Sequence, residues 1–198
     1  MSDTGVTFRA ATRDDSRNIA ELFRISSDGV VDYLWMTLAP EYPGLEPVEI
    51  GAARYASEEG NFSFTNCLLA EREGEVIGQL CTYPVEASAE DTDEPVDPVL
   101  EPYGRLEIPG TLYISSLALF EGFRGMGLGT QMISIARDQA RERGLDALSL
   151  LVFEQNAGAL KLYEREGFHE VDRAAVVPHP LINHTGDVIL MTAPVQRI

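Results

Sequence analysis

Apolar positions along this chain recur with two periods, one suited to strands and one to helices. Val6 to Ala11 predicts a short strand. Thr12 with Asp15 three positions later reads as a capping box, and Ile19, Leu22 and Phe23 then set a helix from about Asp14 to Ser27. Asp28-Gly29 ends it. Val30 to Leu38 predicts a second short helix, closed by Pro40 and the Pro43-Gly44 turn. Pro47 opens a third, with Ile50, Ala53 and Ala56 or Ser57 on one side. The first strand is therefore followed by helices before any partner strand. Cys67 to Arg72 and Val76 to Pro84 predict a hairpin turning at Glu73-Gly74.

The second half alternates strand and helix patterns. Leu112 to Phe120 is partly alternating and partly continuous, as a central strand is. Leu128, Met132, Ile133, Ala136 and Ala140 form a helical stripe that runs to Gly144. Ala147 to Phe153 predicts another strand. Asn156 suits the N-cap of a short helix carrying Leu160, Leu162 and Tyr163, stopped at Gly167. Two late strands, Phe168 to Val177 and Val188 to Ala193, flank a Pro- and His-containing loop. The sum is a single α/β domain over residues 1–198. Its sheet is mixed and mostly antiparallel, with about seven strands and four to five helices.

Between the hairpin and the central strand, residues 86–110 break the pattern. Glu90, Asp91, Asp93, Glu94, Asp97 and Glu101 gather there among Pro95, Pro98, Pro102 and Pro109, and Arg105 is the basic residue of the stretch. It reads as a long loop, either an acidic lid beside a cationic substrate or a solvated insertion. Charge extends this picture to the whole chain, whose formal net charge is −17 over 198 residues. Such a chain is repelled by nucleic acid and by anionic membranes, so neither is an expected partner. The charge favours a cationic substrate such as an amine, or serves solubility alone. Cys67 and Cys81 have no metal-ligand spacing, and no metal is expected. They flank the hairpin, where proximity is expected without any sign of an oxidising compartment. Met1 to Arg9 lacks an apolar signal core and no run has the length of a membrane span, so a cytoplasmic location is expected.

The strongest local signal is Arg124-Gly125-Met126-Gly127-Leu128-Gly129-Thr130, a glycine-spaced turn between a strand and a helix. Such a turn brings backbone N–H groups close to an anion, and the helix N-terminus behind it adds partial positive charge. Two familiar glycine loops are excluded. A dinucleotide fingerprint needs a third glycine where Thr130 stands, and a P-loop started at Gly122 needs Lys-Ser or Lys-Thr where Leu128-Gly129 stands.

Two ordered patterns identify the anion. Leu117-Ala118-Leu119 is followed, after a short gap, by Arg124-x-x-Gly127-x-Gly129. Further on stands Leu150-x-Val152-x-x-x-Asn156-x-x-Ala159-x-x-Leu162-Tyr163-x-x-x-Gly167-Phe168. Together, over about Leu112 to Phe168, they resemble the GNAT superfamily of N-acetyltransferases, which move an acetyl group from acetyl-CoA to an amine. The resemblance implies that Arg124, Gly125, Met126, Gly127, Leu128, Gly129 and Thr130 wrap the pyrophosphate of CoA. It implies that Leu117, Ala118 and Leu119 pair with pantetheine through their backbone, and that Asn156 and Ala159 lie on the cofactor side. Tyr163 matches the tyrosine near the CoA sulfur. With a reference pKa of ~10 against ~8.5 for a thiol, it acts there as a hydrogen-bond donor that eases departure.

The general base is less defined by the pattern. Some family members carry Glu at the start of the central strand, where this chain has Tyr113. Glu154, His179 and His184 are the remaining candidates, the histidines in the loop that borders the acceptor site in the family. Tyr33, Trp35, Tyr42 and Tyr55 are candidates for the acceptor wall or for the core. The implied acceptor is a primary amine on a small molecule or peptide, with a homodimer as a candidate assembly. A CoA-binding regulatory or interaction domain without turnover is the alternative.

Overall fold

A computed structural model describes residues 5–87 and 97–196, so Glu90, Asp91, Asp93, Glu94 and Pro95 of the acidic segment lie outside the described residues. Its elements are, in order, β1 (Val6–Ala10), α1 (Ser16–Ser27), α2 (Val30–Leu38), α3 (Pro47–Tyr55), β2 (Cys67–Arg72), β3 (Glu75–Pro84) and α4 (Glu101–Arg105). They continue with β4 (Leu112–Leu119), α5 (Leu128–Glu142), β5 (Ala147–Phe153), α6 (Ala157–Arg165), β6 (His169–Ala175) and β7 (Asp187–Pro194). The strands make a seven-stranded sheet in the order β1-β2-β3-β4-β5-β7-β6. Pairs β1–β2, β2–β3, β5–β7 and β6–β7 are antiparallel, and β4–β5 is parallel. The α/β class and the mixed, mostly antiparallel sheet are those expected. Among the described residues the helices number six rather than four to five, because α4 forms inside the acidic segment. Pro102 reads as a loop residue, yet it stands in the first turn of α4, where its missing N–H costs nothing. Arg105 and Glu101, one turn apart, pair at 3.4 Å.

The chain packs as two compact units. One runs through Cys81 and adds Ser116–Leu128; the other holds Thr82–Ser115 and continues from Gly129. In the first unit, Ile19, Ala20, Leu22 and Phe23 of α1 recur at helical spacing and are buried. Phe23 stacks on Tyr55 at 4.5 Å between ring centroids, and Trp35 meets Tyr55 edge-on at 6.4 Å. The buried face of α3 is Ile50, Gly51 and Tyr55, not the expected Ile50, Ala53 and Ala56 or Ser57. Gly51 decides this, since a Cβ there would overlap the Trp35 indole. Trp35 is 1% exposed and belongs to this core, so it presents no open acceptor wall.

Two local devices fix the edges of that unit. The guanidinium of Arg9 donates from both terminal nitrogens to Asp15, each at 2.8 Å, and Thr12 donates to the same carboxylate from its backbone N–H (2.7 Å) and its hydroxyl (2.8 Å). The Arg9 pair, opposed by burial and assisted by Thr12, holds the Asp15 carboxyl down at about 2. The hairpin turns at Glu73 (φ 54°) and Gly74 (φ 84°), the two left-handed residues of a turn whose twist matches its strands. Its register sets Cys67 directly opposite Cys81, with Cα atoms 4.2 Å apart, and the two form a disulfide. Proximity is legible from the hairpin pattern; the bond is not.

In the second unit, Met132, Ile133, Ala136 and Ala140 of α5 are fully buried, as their spacing predicts. Arg137, on the same helix, is buried with Glu166 at the end of α6. Its Nη1 lies 3.6 Å from the carboxylate, and its Nη2 donates to the Glu166 carbonyl. Thr130 adds a 2.8 Å hydroxyl bond to that carboxylate, fastening the first turn of α5 to the end of α6. Removing one partner of such a buried pair costs about 3–5 kcal/mol.

Candidate functional site

The glycine turn grows out of the end of β4. There the Phe120 N–H donates to the Ile77 carbonyl at 3.0 Å, and Glu121–Phe123 makes one tight helical turn. Gly125 (φ 77°) and Gly127 (φ 80°) are then both left-handed, a conformation that costs about 1–2 kcal/mol for most other residues. A Cβ built on either would meet no heavy atom within 4 Å. The glycines are thus required by backbone shape, and the space where a side chain would begin is open. Leu128 is fully buried and anchors the turn from which α5 departs. The first amides of α5 have no partner within the helix, and the helix dipole makes that end attractive to an anion by about 0.3–1 kcal/mol.

Arg124 is exposed, and its Nε donates to the Leu119 carbonyl at 3.2 Å. One carbonyl of the Leu117–Leu119 run is therefore held by the turn itself. Leu117 is half-buried, Ala118 and Leu119 are buried, and Met126 stands exposed at the tip. The run from Leu117 to Thr130 is one continuous strand–turn–helix.

Tyr163, Tyr113 and Tyr83 of the second unit have raised phenols. Tyr163 on α6 is 8% exposed, its ring 5.7 Å from that of Phe168. Burial pushes its phenol up to about 12. Proton transfer from it to an ordinary thiolate is then uphill by about 5 kcal/mol, which leaves it the part of a neutral hydrogen-bond donor. Tyr113 on β4 has its ring 5.3 Å from that of Tyr83 on β3. Its phenol is raised by burial first and then by Tyr83, Glu107 and Tyr163. Burial, with Glu107 adding to it, raises Tyr83 to about 12. Tyr83 and Glu107 are not legible as site residues in the sequence. Tyr83 stands near the end of β3, far from Tyr113 in the chain, and Glu107 follows α4. On its other side β4 pairs with β5 in parallel register, with Leu112 opposite Leu148, Tyr113 opposite Ser149 and Ile114 opposite Leu150.

The remaining candidates lie elsewhere. Asn156 caps α6, its side-chain oxygen accepting from the half-buried Ala159 at 3.1 Å. Glu154 is engaged by Arg173 at 3.5 Å, and the same guanidinium holds Glu170 at 2.7 Å and Asp187 at 3.1 Å. His184 tilts over Phe153 at 4.6 Å, with its Nδ1 3.3 Å from the Gln155 side-chain oxygen. His179 accepts from the Leu181 N–H through Nδ1 at 3.2 Å, which ties it to the fold of its own loop. Tyr33 is half-buried on α2 in the first unit. No group of three metal-ligating side chains occurs among the described residues.

Known proteins resemble this chain in sequence and fold. The model of the acetyltransferase (GNAT) family matches residues 31–168. An uncharacterized N-acetyltransferase of Bacillus subtilis is 42% identical over 60 residues, which cover 30% of this chain and 38% of that protein. The mycothiol acetyltransferase of Thermobispora bispora is 34% identical over 111 residues, covering 56% of this chain and 32% of that protein. The matched stretches thus span 38% and 32% of these two relatives' own length. A solved structure described as an acetyltransferase superposes with a TM-score of 0.66 at 26% identity, covering 96% of this chain and 100% of the other.

Proposed function

The chain belongs to the acetyltransferase (GNAT) family, and from that premise we propose that it is an N-acetyltransferase that moves an acetyl group from acetyl-CoA directly to a primary amine. The observation that carries this reading is the open, left-handed Gly125–Gly127 turn at the N-terminus of α5. Its amides donate to the pyrophosphate and Arg124 adds a charge-assisted contact. Leu117 and Ala118 offer backbone groups to the pantetheine arm, and Tyr163 donates a hydrogen bond to the departing sulfur. In the reaction the amine nitrogen attacks the thioester carbon. The C–S bond breaks, an amide forms, the amine gives up a proton and CoA leaves as the thiol.

Direct attack is preferred because Cys67 and Cys81 are buried in the core of the first unit, opposite one another across the β2–β3 hairpin, which is no setting for a nucleophile. The acceptor is a small molecule or a peptide end, the protein works as one domain in the cytoplasm where acetyl-CoA is available, and a homodimer is the proposed assembly. Reducing systems there press on the Cys67–Cys81 bond. The test is CoA-thiol release from acetyl-CoA across a panel of amines, with calorimetry for donor binding. Tight donor binding with no release from any amine would leave only a CoA-binding regulatory domain, a reading to which the absent carboxylate at Tyr113 lends its support.

A further inference from the structure

We propose that Glu166 is a positioning residue for the acetyl donor: it holds Thr130, and with it the first turn of α5, in the geometry that receives the pyrophosphate of acetyl-CoA. The proposal rests on the acetyltransferase reading and adds to it a residue that does not itself touch the ligand.

Glu166 stands at the C-cap of α6, and its side chain is 3% exposed. At that burial it is out of a ligand's reach, so any influence on binding passes through its partners. Its carboxylate accepts from the Thr130 hydroxyl at 2.8 Å. It also lies 3.6 Å from Nη1 of the buried Arg137 and 3.9 Å from Nε of the exposed Arg165. Arg165 reaches the Thr130 hydroxyl as well, its Nη2 donating at 3.3 Å. An ionised carboxylate only accepts and a guanidinium only donates. The hydroxyl proton of Thr130 therefore points to Glu166 and a lone pair to Arg165, which leaves no hydroxyl proton for a phosphate.

What Thr130 offers an anion is its backbone N–H. α5 begins at Leu128, so this amide is among the first four of the helix, which have no partner within it. Helix ends fray, and donors that must be ordered as the ligand arrives lose affinity to that ordering. Clamped from a buried carboxylate, the turn is ordered beforehand. Arg137 and Arg165 flank the carboxylate with two positive charges, so its own charge does not spoil the anion seat. Stability alone does not account for the arrangement, because a buried ion pair adds little over apolar side chains of the same volume.

Wild-type protein is first shown to bind acetyl-CoA by calorimetry; failure there overturns the acetyltransferase reading and this inference with it. On a wild type that binds, Glu166→Asp keeps the charge beside Arg137 but withdraws it from Thr130 by one methylene. The acetyl-CoA Kd is expected to rise about tenfold in Glu166→Asp and in Thr130→Val. Thr130→Ser, which keeps the hydroxyl, recovers most of the affinity that Thr130→Val loses. Combining Glu166→Asp with Thr130→Val raises the Kd no further, as residues acting through one another do. A clamp with a merely structural role would lower the melting temperature of Glu166→Asp and leave its Kd, titrated well below that temperature, unchanged; that result overturns the proposal. Additive losses in the double variant overturn it too, since the Thr130 hydroxyl would then act on the ligand by itself. An unchanged Kd in Thr130→Val has the same force and does not depend on how any Glu166 variant folds.

Discussion

Placing a negative charge in the glycine turn, without distorting it, separates an anion seat from a mere strand-to-helix connection. Gly127 has φ 80°, and a Cβ there meets no heavy atom within 4 Å. Asn and Asp tolerate left-handed backbone better than other side chains, so Gly127→Asn and Gly127→Asp carry similar folding costs of at most about 1–2 kcal/mol. They differ by one charge. A carboxylate about 5 Å from a phosphate, at an effective dielectric between ~20 and ~80, is repelled by about 1–3 kcal/mol per charge pair. Affinity for acetyl-CoA should therefore fall at least about tenfold further in the Asp variant than in the Asn variant. Calorimetric titration with acetyl-CoA reads this, and thermal melting without ligand checks that the two variants are equally folded. Raising salt should narrow the gap, because the turn is exposed. Equal affinities of equally stable Asp and Asn variants would refute the assignment of the pyrophosphate to this turn.

Three further outcomes are expected. Tyr163→Phe removes the donor to the departing sulfur and should lower kcat by about 10²-fold with little change in acetyl-CoA affinity; matched losses in both would mark the tyrosine as structural. Asp15→Asn should cost about 2 kcal/mol at neutral pH, read by denaturant unfolding, from the shift of the Asp15 carboxyl from 3.8 to about 2. Because the folded value is the lower one, this contribution is present above the unfolded value and disappears as pH falls through about 2; a difference from wild type that persisted below it would contradict the cause. Reduction of Cys67–Cys81, separated by 14 positions, should lower stability by about 3 kcal/mol, and an unchanged melting temperature in reductant would contradict a structural role for the bond.

Features set by near neighbours in the chain are legible in the sequence alone. The capping pair Thr12 and Asp15, the Asn156 cap, the buried stripe of α5 and the turn at Glu73-Gly74 each arise within a few residues. The same holds for the Arg124–Thr130 turn, whose glycines are dictated by local φ. Features set by sheet pairing and helix packing are not legible in this way. Whether Trp35 lines a wall or a core depends on Gly51 arriving beneath it from α3. The Cys67–Cys81 bond depends on register, since a shift by one residue would turn one thiol to the other face. Pro102 reads as a helix breaker until its place in the first turn of α4 is known. Tyr83 and Tyr113 are 30 positions apart and carry no shared motif, yet their rings meet at 5.3 Å once β3 and β4 are in place.

Direct transfer to an amine is the central claim, and a rapid acid quench with acetyl-labelled acetyl-CoA and a primary amine that supports CoA release tests it most directly. The expected result is label passing to the amine in a single phase, with none covalently bound to protein at any time. Label accumulating on the protein before the amine, or CoA released with no labelled amide, would contradict it.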